Sequence, residues 1–318
     1  MGTLLLTGAT GFVGRVTRRA LARAGADVRC ASRSHAPDAG WVRLDVTDPS
    51  TLPPALDGIE TAIYLVHSMG HAGGGGDFEQ REAASARAFA RAAADAGVKR
   101  IVYLGGVAPS GRPSKHLQSR LRTGEILRQG QVPVVELRAG MIVGDGSESW
   151  QIVRDLSMRL PVMVLPAWLE HRSQPVAIDD VVAAIVHAAT APGVQAGVYA
   201  LPGPDVLSGT QILERTAATQ GLVARSVKVP FVTPRLSSYW IGLVTRADVE
   251  IARELVEGLT CDLVAREAPF WPVMGGHRPM AFDVAARIAF ENEAHHLSLR
   301  SAALEWVIQH VAPWKKVG

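Results

Sequence analysis

The residues best suited to chemistry lie at the start of the chain, in the segment Thr7–Gly14, which reads TGATGFVG. This TGxxGxxG pattern follows the apolar run Leu4–Leu6 and precedes apolar residues at helical spacing. Glycines so placed allow a tight turn and let the backbone approach a pyrophosphate, whose charge helix N–H groups stabilise. Because the glycines stand between a predicted strand and a predicted helix, the pattern predicts a dinucleotide-binding loop. A glycine-rich turn without a ligand is the alternative. The predicted contacts are Gly8, Thr10, Gly11, Phe12, Val13 and Gly14.

The end of the next predicted strand bears on which dinucleotide would bind. Residues 27–33 form that strand, and it ends in Ser32-Arg33. Sites specific for NAD(H) usually carry Asp or Glu here, about twenty residues beyond the glycines. Arg33 instead offers a planar guanidinium suited to a 2′-phosphate. The sequence therefore favours NADP(H) over NAD(H), with a solvated loop arginine as the alternative. Asp45 and Val46, after a third predicted strand, are expected to flank the adenine.

The rest of the chain alternates predicted strands and helices. Strands are expected at 61–66, 100–106, 134–138 and 197–201, and helices at 78–96, 117–129, 179–190 and 208–221, with Ser208 as a helix cap. This alternation predicts an α/β fold, a doubly wound parallel Rossmann sheet whose ligands gather at the carboxyl ends of the strands. The glycine-rich stretch Gly70–Gly76 is predicted to be a mobile loop. Residues 1–225 are assigned to the NAD(P)-binding Rossmann domain and residues 226–318 to a small, mostly helical C-terminal lobe on the substrate side.

Composition limits the class of protein. The 318 residues are 47% hydrophobic and 20% charged, with a formal net charge of +3, as in ordinary soluble enzymes. Scattered basic residues argue against nucleic-acid binding. The longest apolar run, Leu160–Leu169, is short and contains two prolines, so no membrane span is expected. The two cysteines, Cys30 and Cys261, are far apart in sequence, and the N-terminus does not read as a signal peptide. A cytoplasmic location is therefore expected.

Several segments together carry a resemblance to a known family. They are Thr7–Gly14, Asp45-Val46, Ala96–Tyr103 (AGVKRIVY), Leu137–Gly144 (LRAGMIVG) and Pro175–Val181 (PVAIDDV). With these the chain resembles the extended or atypical short-chain dehydrogenase/reductases, near the NmrA-like and complex-I-subunit-like branches. Tyr64–Met69 and Pro234–Trp240 are similar to a bacterial group of NAD(P)H-binding proteins. The resemblance implies a Rossmann fold, with the nicotinamide side of the cofactor near Val66, His67, Gly105, Ala139, Gly140 and Ile142.

The chain departs from this family where the chemistry takes place. Family reductases use a Ser at the end of the fifth strand and a Tyr-x-x-x-Lys on the next helix. Here the strand ends in Gly105-Gly106, and the helical pair falls on His116 and Arg120. Arginine does not deprotonate, but a neutral imidazole can still donate a hydrogen bond to a developing oxyanion, worth roughly 3 kcal/mol. His116 and Arg120 are the candidate catalytic groups. A helix cap or a position on a loop rim is the alternative for His116.

Two classes of function follow. In the first, the protein is an NADPH-dependent oxidoreductase that reduces a small apolar substrate (an enone, quinone, imine or ketone) by hydride transfer without the usual Ser-Tyr-Lys set. In the second, it is a non-catalytic NADP(H)-binding redox sensor or an assembly subunit of the NmrA-like type. Sugar epimerisation is disfavoured because the expected polar sugar-binding groups are absent. Tyr103 is expected in the core. Trp240, Phe270 and Trp271 are also expected in the core, with the lining of an apolar substrate pocket as the alternative. Asp179 and Asp180 are expected as helix caps, and His295-His296 outside any metal site.

Overall fold

A computed structural model describes residues 2–33, 40–66, 77–159, 163–223, 226–229 and 260–296. The strands are β1 (Thr3–Leu6), β2 (Val28–Ser32), β3 (Trp41–Arg43), β4 (Ile59–Tyr64), β5 (Arg100–Gly106), β6 (Val134–Ala139), β7 (Ile142–Val143), β8 (Met163–Pro166), β9 (Arg172–Ser173), β10 (Val176–Ala177), β11 (Gly197–Ala200), β12 (Leu207–Ser208) and β13 (Ser226–Val229). The α-helices are α1 (Phe12–Arg23), α2 (Leu52–Leu56), α3 (Asp77–Asp95), α4 (Lys115–Arg128), α5 (Glu148–Arg159), α6 (Ile178–Thr190), α7 (Gly209–Thr219) and α8 (Phe282–His296).

Seven of these strands form one parallel sheet in the order β11-β6-β5-β4-β1-β2-β3. The chain begins at β1, adds β2 and β3 on one side, and then crosses to β4, β5, β6 and β11 on the other. This reversal makes the carboxyl ends of β1 and β4 the switch point, where open α/β sheets bind their ligands. The predicted doubly wound α/β fold is confirmed.

The central strands are apolar along their whole length because helices cover both faces of the sheet. Leu4, Leu6 and Leu104 pack in one core cluster, together with residues of α1 and α6. Leu5 and Tyr103 point to the opposite face and pack with residues of α2, α3 and α4. Successive side chains of a strand alternate between faces, so each strand contributes to both clusters. Tyr103 is 1% exposed, which confirms its expected place in the core.

Several predicted helix ends are confirmed in detail. Gly97 has a φ of +74° directly after α3, in the left-handed region that glycine adopts at low cost. Ser208 caps α7 through a capping box with Gln211, as its position before a helical pattern predicted. The strand expected at 197–201 is β11, and its parallel pairing with β6 places it at the edge of the main sheet.

Segment 260–281 packs against the edge of the sheet. Pro269 forms a β-bridge with Ala200 of β11, and both Phe270 and Trp271 are buried in the cluster that contains α1 and α6. The expected core role of these two aromatic residues is therefore confirmed. Trp240 lies outside the described residues. Among the described residues, no helix combines the length and the apolar character needed to cross a bilayer.

Asp180 corrects one sequence prediction. Helix α6 begins after Ala177, without a side-chain hydrogen bond at its cap. Asp180 is 5% exposed, and its Oδ1 lies 2.7 Å from His277 Nε2 while its Oδ2 accepts a 2.8 Å hydrogen bond from the Met280 amide. The carboxylate thus ties segment 277–280 to α6. Sequence spacing could not reveal this role because the partners stand about a hundred residues away.

We expect Asp180→Asn to lower the free energy of unfolding by about 1–3 kcal/mol, because the amide nitrogen cannot accept a hydrogen bond and the charge is lost. Urea denaturation measures this change. Asp179→Asn is the matched control: Asp179 is exposed on the same turn, and we expect a change within about 0.5 kcal/mol. Equal effects at both positions would contradict the assigned role of Asp180.

Candidate cofactor site and active site

The loop after β1 is anchored to the end of β4. Thr7 Oγ1 donates a 3.1 Å hydrogen bond to the carbonyl of Ile63 and accepts one of 3.1 Å from the amide of Leu65. Gly8 has a φ of +64°, and a Cβ there would lie 2.8 Å from the Leu65 carbonyl oxygen. The chain can turn sharply at the switch point only with glycine at this position.

The other two glycines of the loop have different functions. A Cβ at Gly14 would lie 2.1 Å from the carbonyl oxygen of Gly8, so Gly14 is required for close packing of α1 on the loop. Gly11 is exposed, and a Cβ there would stand 3.3 Å from the same oxygen. Gly11 precedes α1, and no described side chain caps the helix. The first-turn N–H groups of α1 therefore remain available to an anion, which the positive end of the helix dipole would also attract.

Phe12 and Arg15 hold the start of α1 against the loop after β7. Cβ atoms at Gly144 and Gly146 would lie 3.2 and 3.4 Å from the Phe12 ring, so these glycines make room for it. Arg15 Nη1 donates a 2.9 Å hydrogen bond to the carbonyl of Thr10. Of the predicted contacts, Phe12 and Val13 thus pack into the protein through their side chains, and Thr10 is exposed.

The predicted adenosine end lies beside β2 and β3. Arg33 directly follows β2 and is exposed. Asp45 Oδ1 accepts hydrogen bonds from the amide and the hydroxyl of Thr47, at 2.9 and 2.7 Å. Val46 is 7% exposed and packs in the core. Because the Val46 side chain contacts the protein interior, it is turned away from any ligand. The groups left for the predicted contacts with adenine are the backbone of Asp45 and Val46 and the second carboxylate oxygen of Asp45.

Only some of the residues predicted to lie near the nicotinamide end of the cofactor are among the described residues. Val66 follows β4 and is half-buried, whereas His67 and the stretch Gly70–Gly76 lie outside the described residues. Gly106 of β5 pairs with Ala139 of β6, and the Val107 amide donates a 3.3 Å hydrogen bond to the Ala139 carbonyl.

The neighbouring residues at the end of β6 complete this part of the site. Gly140 and Ile142 are half-buried beyond the strand, and a Cβ at Gly140 would have only an ordinary contact, 3.8 Å from the Gln174 carbonyl oxygen. The fold therefore brings the predicted residues Gly105, Ala139, Gly140 and Ile142 together. Two strand spacings separate β5 from β1 and three separate β6 from β1, so these residues lie roughly 10–15 Å from the glycine loop.

Helix α4 covers the carboxyl end of β5. Tyr103 and Gly105 face the side of the sheet that carries α3 and α4, so alternation turns Gly106 to the other side. A Cβ at Gly106 would nevertheless lie 2.5 Å from Leu117 Cδ1 and 4.0 Å from Arg120 Nε. The side chains of Leu117 and Arg120 thus extend across the strand end. Leu117 occupies the space that a larger side chain at position 106 would need.

His116 lies in the first turn of α4 and is half-buried. The cap of the helix is Ser114, whose Oγ accepts a hydrogen bond from the Leu117 amide, so the helix-cap alternative for His116 is wrong. Arg120 stands one helical turn further along, and its carbonyl accepts a 2.8 Å hydrogen bond from the Tyr103 hydroxyl. Residues at this spacing share a helix face, so His116 and Arg120 are neighbours, as predicted.

A buried charge network beneath α4 was not predicted. Glu136 is fully buried in β6 and accepts a 2.7 Å hydrogen bond from Arg138 Nε, while its carboxylate also forms an ion pair with Arg128. Arg138 pairs in turn with Glu267. A Cβ at Gly124 would lie 2.6–2.7 Å from the Glu136 carboxyl group, so glycine is required there. The signal in the sequence is Glu136 inside the apolar run Val134–Leu137.

Comparisons with known proteins concern the fold and the sequence of the first part of the chain. Residues 4–129 match the family model of the NAD dependent epimerase/dehydratase family. The match runs from β1 through α4 and so includes the glycine loop, Arg33, Gly105, His116 and Arg120. No curated protein sequence matches the chain.

Three solved structures are similar over almost the whole chain. Gox2253 is 21% identical, with 92% of this chain and 98% of that chain covered and a TM-score of 0.70. MoeE5, in complex with UDP-glucose and NAD, is 17% identical, with 94% and 100% covered and a TM-score of 0.70. A nucleoside-diphosphate-sugar epimerase from Staphylococcus aureus is 15% identical, with 90% and 100% covered and a TM-score of 0.72. At sequence identities this low, the structural similarity shows that the proteins share a fold.

Residues 4–129 of this chain therefore carry the sequence pattern of the NAD dependent epimerase/dehydratase family, and the chain has the Rossmann-type fold of the structures to which it is similar.

Proposed function

We propose that this protein binds NADP(H) across the carboxyl ends of its sheet and reduces a small apolar substrate by hydride transfer. The glycine loop carries the proposal: Gly14 lets α1 approach Gly8, Gly11 leaves the uncapped helix N-terminus open, and a pyrophosphate fits between them. The similar protein MoeE5 is in complex with NAD, which supports a nicotinamide dinucleotide as the ligand here. When bound, this cofactor would supply the hydride.

Arg33 supports NADP(H) as the cofactor. It stands exposed at the end of β2, where an acidic residue would favour the ribose 2′-hydroxyl of NAD(H). A guanidinium group can bind a 2′-phosphate through two hydrogen bonds. The residues that would hold the cofactor are Gly8, Thr10, Gly11, Phe12, Val13, Gly14, Arg33, Asp45 and Val46 at one end, and Val66, His67, Gly105, Ala139, Gly140 and Ile142 at the other.

We expect Arg33→Ala to weaken NADPH binding by about 10- to 100-fold, because one charge-assisted interaction is lost, and to change NADH binding less than about twofold. Titration calorimetry with both dinucleotides measures these constants. Arg19→Ala, which removes an exposed arginine from α1, is the control. A wild-type protein that binds NADH as tightly as NADPH would contradict the assignment to Arg33, and one that binds neither would overturn the whole proposal.

The substrate would lie beside α4, with His116 and Arg120 as its polar contacts and Leu117 and Ile142 as apolar ones. The proposal includes four classes of substrate: enones, quinones, imines and ketones. Cys30 is buried, and neither cysteine forms a disulfide in the part of the chain that the structure describes. This is compatible with a reducing compartment, and we place the protein in the cytoplasm. We also place it near the NmrA-like branch of the short-chain dehydrogenase/reductases.

One observation favours a second candidate, a non-catalytic NADP(H) sensor or assembly subunit. The end of β5 carries two glycines in place of a serine, and Leu117 fills the space beside Gly106. NADPH oxidation by the purified protein distinguishes the two candidates when it is measured with enones, quinones, imines and ketones. Turnover that falls in His116→Ala supports the enzyme. Tight NADPH binding without turnover of any compound supports the sensor.

A further inference from the structure

We infer that Arg120 binds the oxygen of a conjugated carbonyl substrate, an enone or a quinone, and stabilises the oxyanion formed during its reduction. This inference rests on the proposed function, because it assumes NADPH as the hydride donor at this site. It narrows the four substrate classes to those whose reduction places a stabilised negative charge on oxygen.

The first support is the position of the guanidinium group. Arg120 Nε lies 4.0 Å from the place of a Cβ on Gly106, so the guanidinium group lies beside the carboxyl end of β5. Gly105 and Gly106 add no side chains that would separate it from a ligand at the strand ends. A cation is thus held where a substrate beside the nicotinamide would stand.

The second support is an incomplete set of hydrogen bonds. Arg120 Nε is buried and has no hydrogen-bond partner among the described residues. Guanidinium nitrogens only donate, so the missing partner must be an acceptor. Buried donors are nearly always paired in native proteins, and an anionic ligand oxygen would satisfy this one through a charge-assisted bond.

The third support is the fixed position of α4. The Tyr103 hydroxyl donates to the Arg120 carbonyl at 2.8 Å, and Tyr103 itself is buried in β5. Burial raises the pKa of Tyr103 to about 12, so its hydroxyl stays protonated and remains a donor. Tyr103 is therefore a positioning residue that fixes the Arg120 backbone relative to the strand end.

The chemistry of arginine then selects the substrate. A conjugated carbon accepts hydride, two electrons with one hydrogen, from the reduced cofactor, which is oxidised to NADP⁺. A C–H bond forms, the C=C electron pair shifts toward oxygen, and the resulting oxyanion later takes a proton from water. In a quinone the same addition to a ring carbon, followed by a proton shift, gives the hydroquinone.

The two other substrate classes fit less well. A simple ketone would give an alkoxide about as strongly basic as hydroxide, and arginine supplies no proton to it. Phenol-type oxygens have a pKa of about 10 and can persist as anions beside a guanidinium group. A protonated imine is cationic, so Arg120 would repel it.

A binding experiment tests the inference without turnover. We expect 4-nitrophenol to bind the NADP⁺-saturated protein as its phenolate, seen as a lowered apparent pKa of the probe in its visible spectrum. Arg120→Gln should weaken phenolate binding by about 10- to 100-fold, the equivalent of one charge-assisted hydrogen bond, and abolish the spectral shift. Arg120→Lys should restore part of the affinity. Arg122→Gln, on the same helix but exposed and paired with Glu125, should have no effect.

A turnover experiment adds the second readout. We expect 2-cyclohexen-1-one and menadione to be reduced faster than cyclohexanone and 1-pyrroline, with the difference lost in Arg120→Gln. NADPH binding, measured for every variant, separates a failure of the proposed function from a failure of the inference about Arg120. A wild-type protein that does not bind NADPH refutes the proposed function. If NADPH binds normally but the probe binds wild type and Arg120→Gln equally, or 1-pyrroline is the preferred substrate, the inference about Arg120 is wrong.

Discussion

Alanine at Gly11 is expected to weaken NADPH binding by roughly 100-fold, or about 3 kcal/mol, while the free energy of unfolding changes by less than about 0.5 kcal/mol. The backbone at Gly11, with φ −73° and ψ 174°, suits any residue, and a Cβ there would stand 3.3 Å from the Gly8 oxygen. The Gly8 carbonyl must shift by a few tenths of an ångström to admit the methyl group, and we expect the fold to tolerate this small shift. A pyrophosphate must approach the N–H groups of α1 through the space that this methyl group would fill.

Gly14→Ala is the matched comparison. Its methyl group would lie 2.1 Å from the Gly8 carbonyl oxygen, so α1 must move away from the loop. We expect both a loss of about 1–3 kcal/mol in stability and a loss of NADPH binding. Urea denaturation and titration calorimetry on the same samples distinguish the two glycines. If Gly11→Ala binds NADPH like wild type, the ligand does not lie on this loop.

Glu136→Gln is expected to be the most destabilising of the substitutions considered, at about 3–5 kcal/mol. The change keeps the shape of the side chain but removes a negative charge that is fully buried and pairs with Arg138 and Arg128. Arg138 is only 11% exposed, so its guanidinium group would lose its buried partner and keep only Glu267. Urea unfolding, monitored by circular dichroism, measures the change.

Two control variants test whether the expected loss of stability in Glu136→Gln is electrostatic in origin. Glu125→Gln removes a carboxylate from the exposed pair with Arg122 and should cost no more than about 1 kcal/mol. Replacing Glu136 and Arg138 together by Leu and Met should recover part of the loss, because the two most buried charges are then removed and only the more exposed Arg128 and Glu267 lose a partner. A double variant less stable than Glu136→Gln would contradict an electrostatic origin.

The sequence predicted the elements that local rules control. Strand β5 spans the predicted residues 100–106, and α3 ends at Asp95, two residues before Gly97, because strand burial and helix termination depend on residues close together in the chain. The glycine loop was predictable for the same reason: its spacing, its strand and its helix occupy one short segment. Glu136 and Arg138 could have been paired in advance, since alternate residues of a strand share a face.

What the sequence by itself determined is thus the α/β fold, the glycine loop and the helical pair of His116 and Arg120. The tertiary structure decided that Arg120 Nε lies beside Gly106 at the end of β5, that Asp180 binds segment 277–280 rather than capping α6, and that β11 adds a seventh strand beside β6. Each of these depends on contacts between residues far apart in the chain. Packing selects such contacts from many that are sterically possible, and spacing along one chain does not distinguish among them.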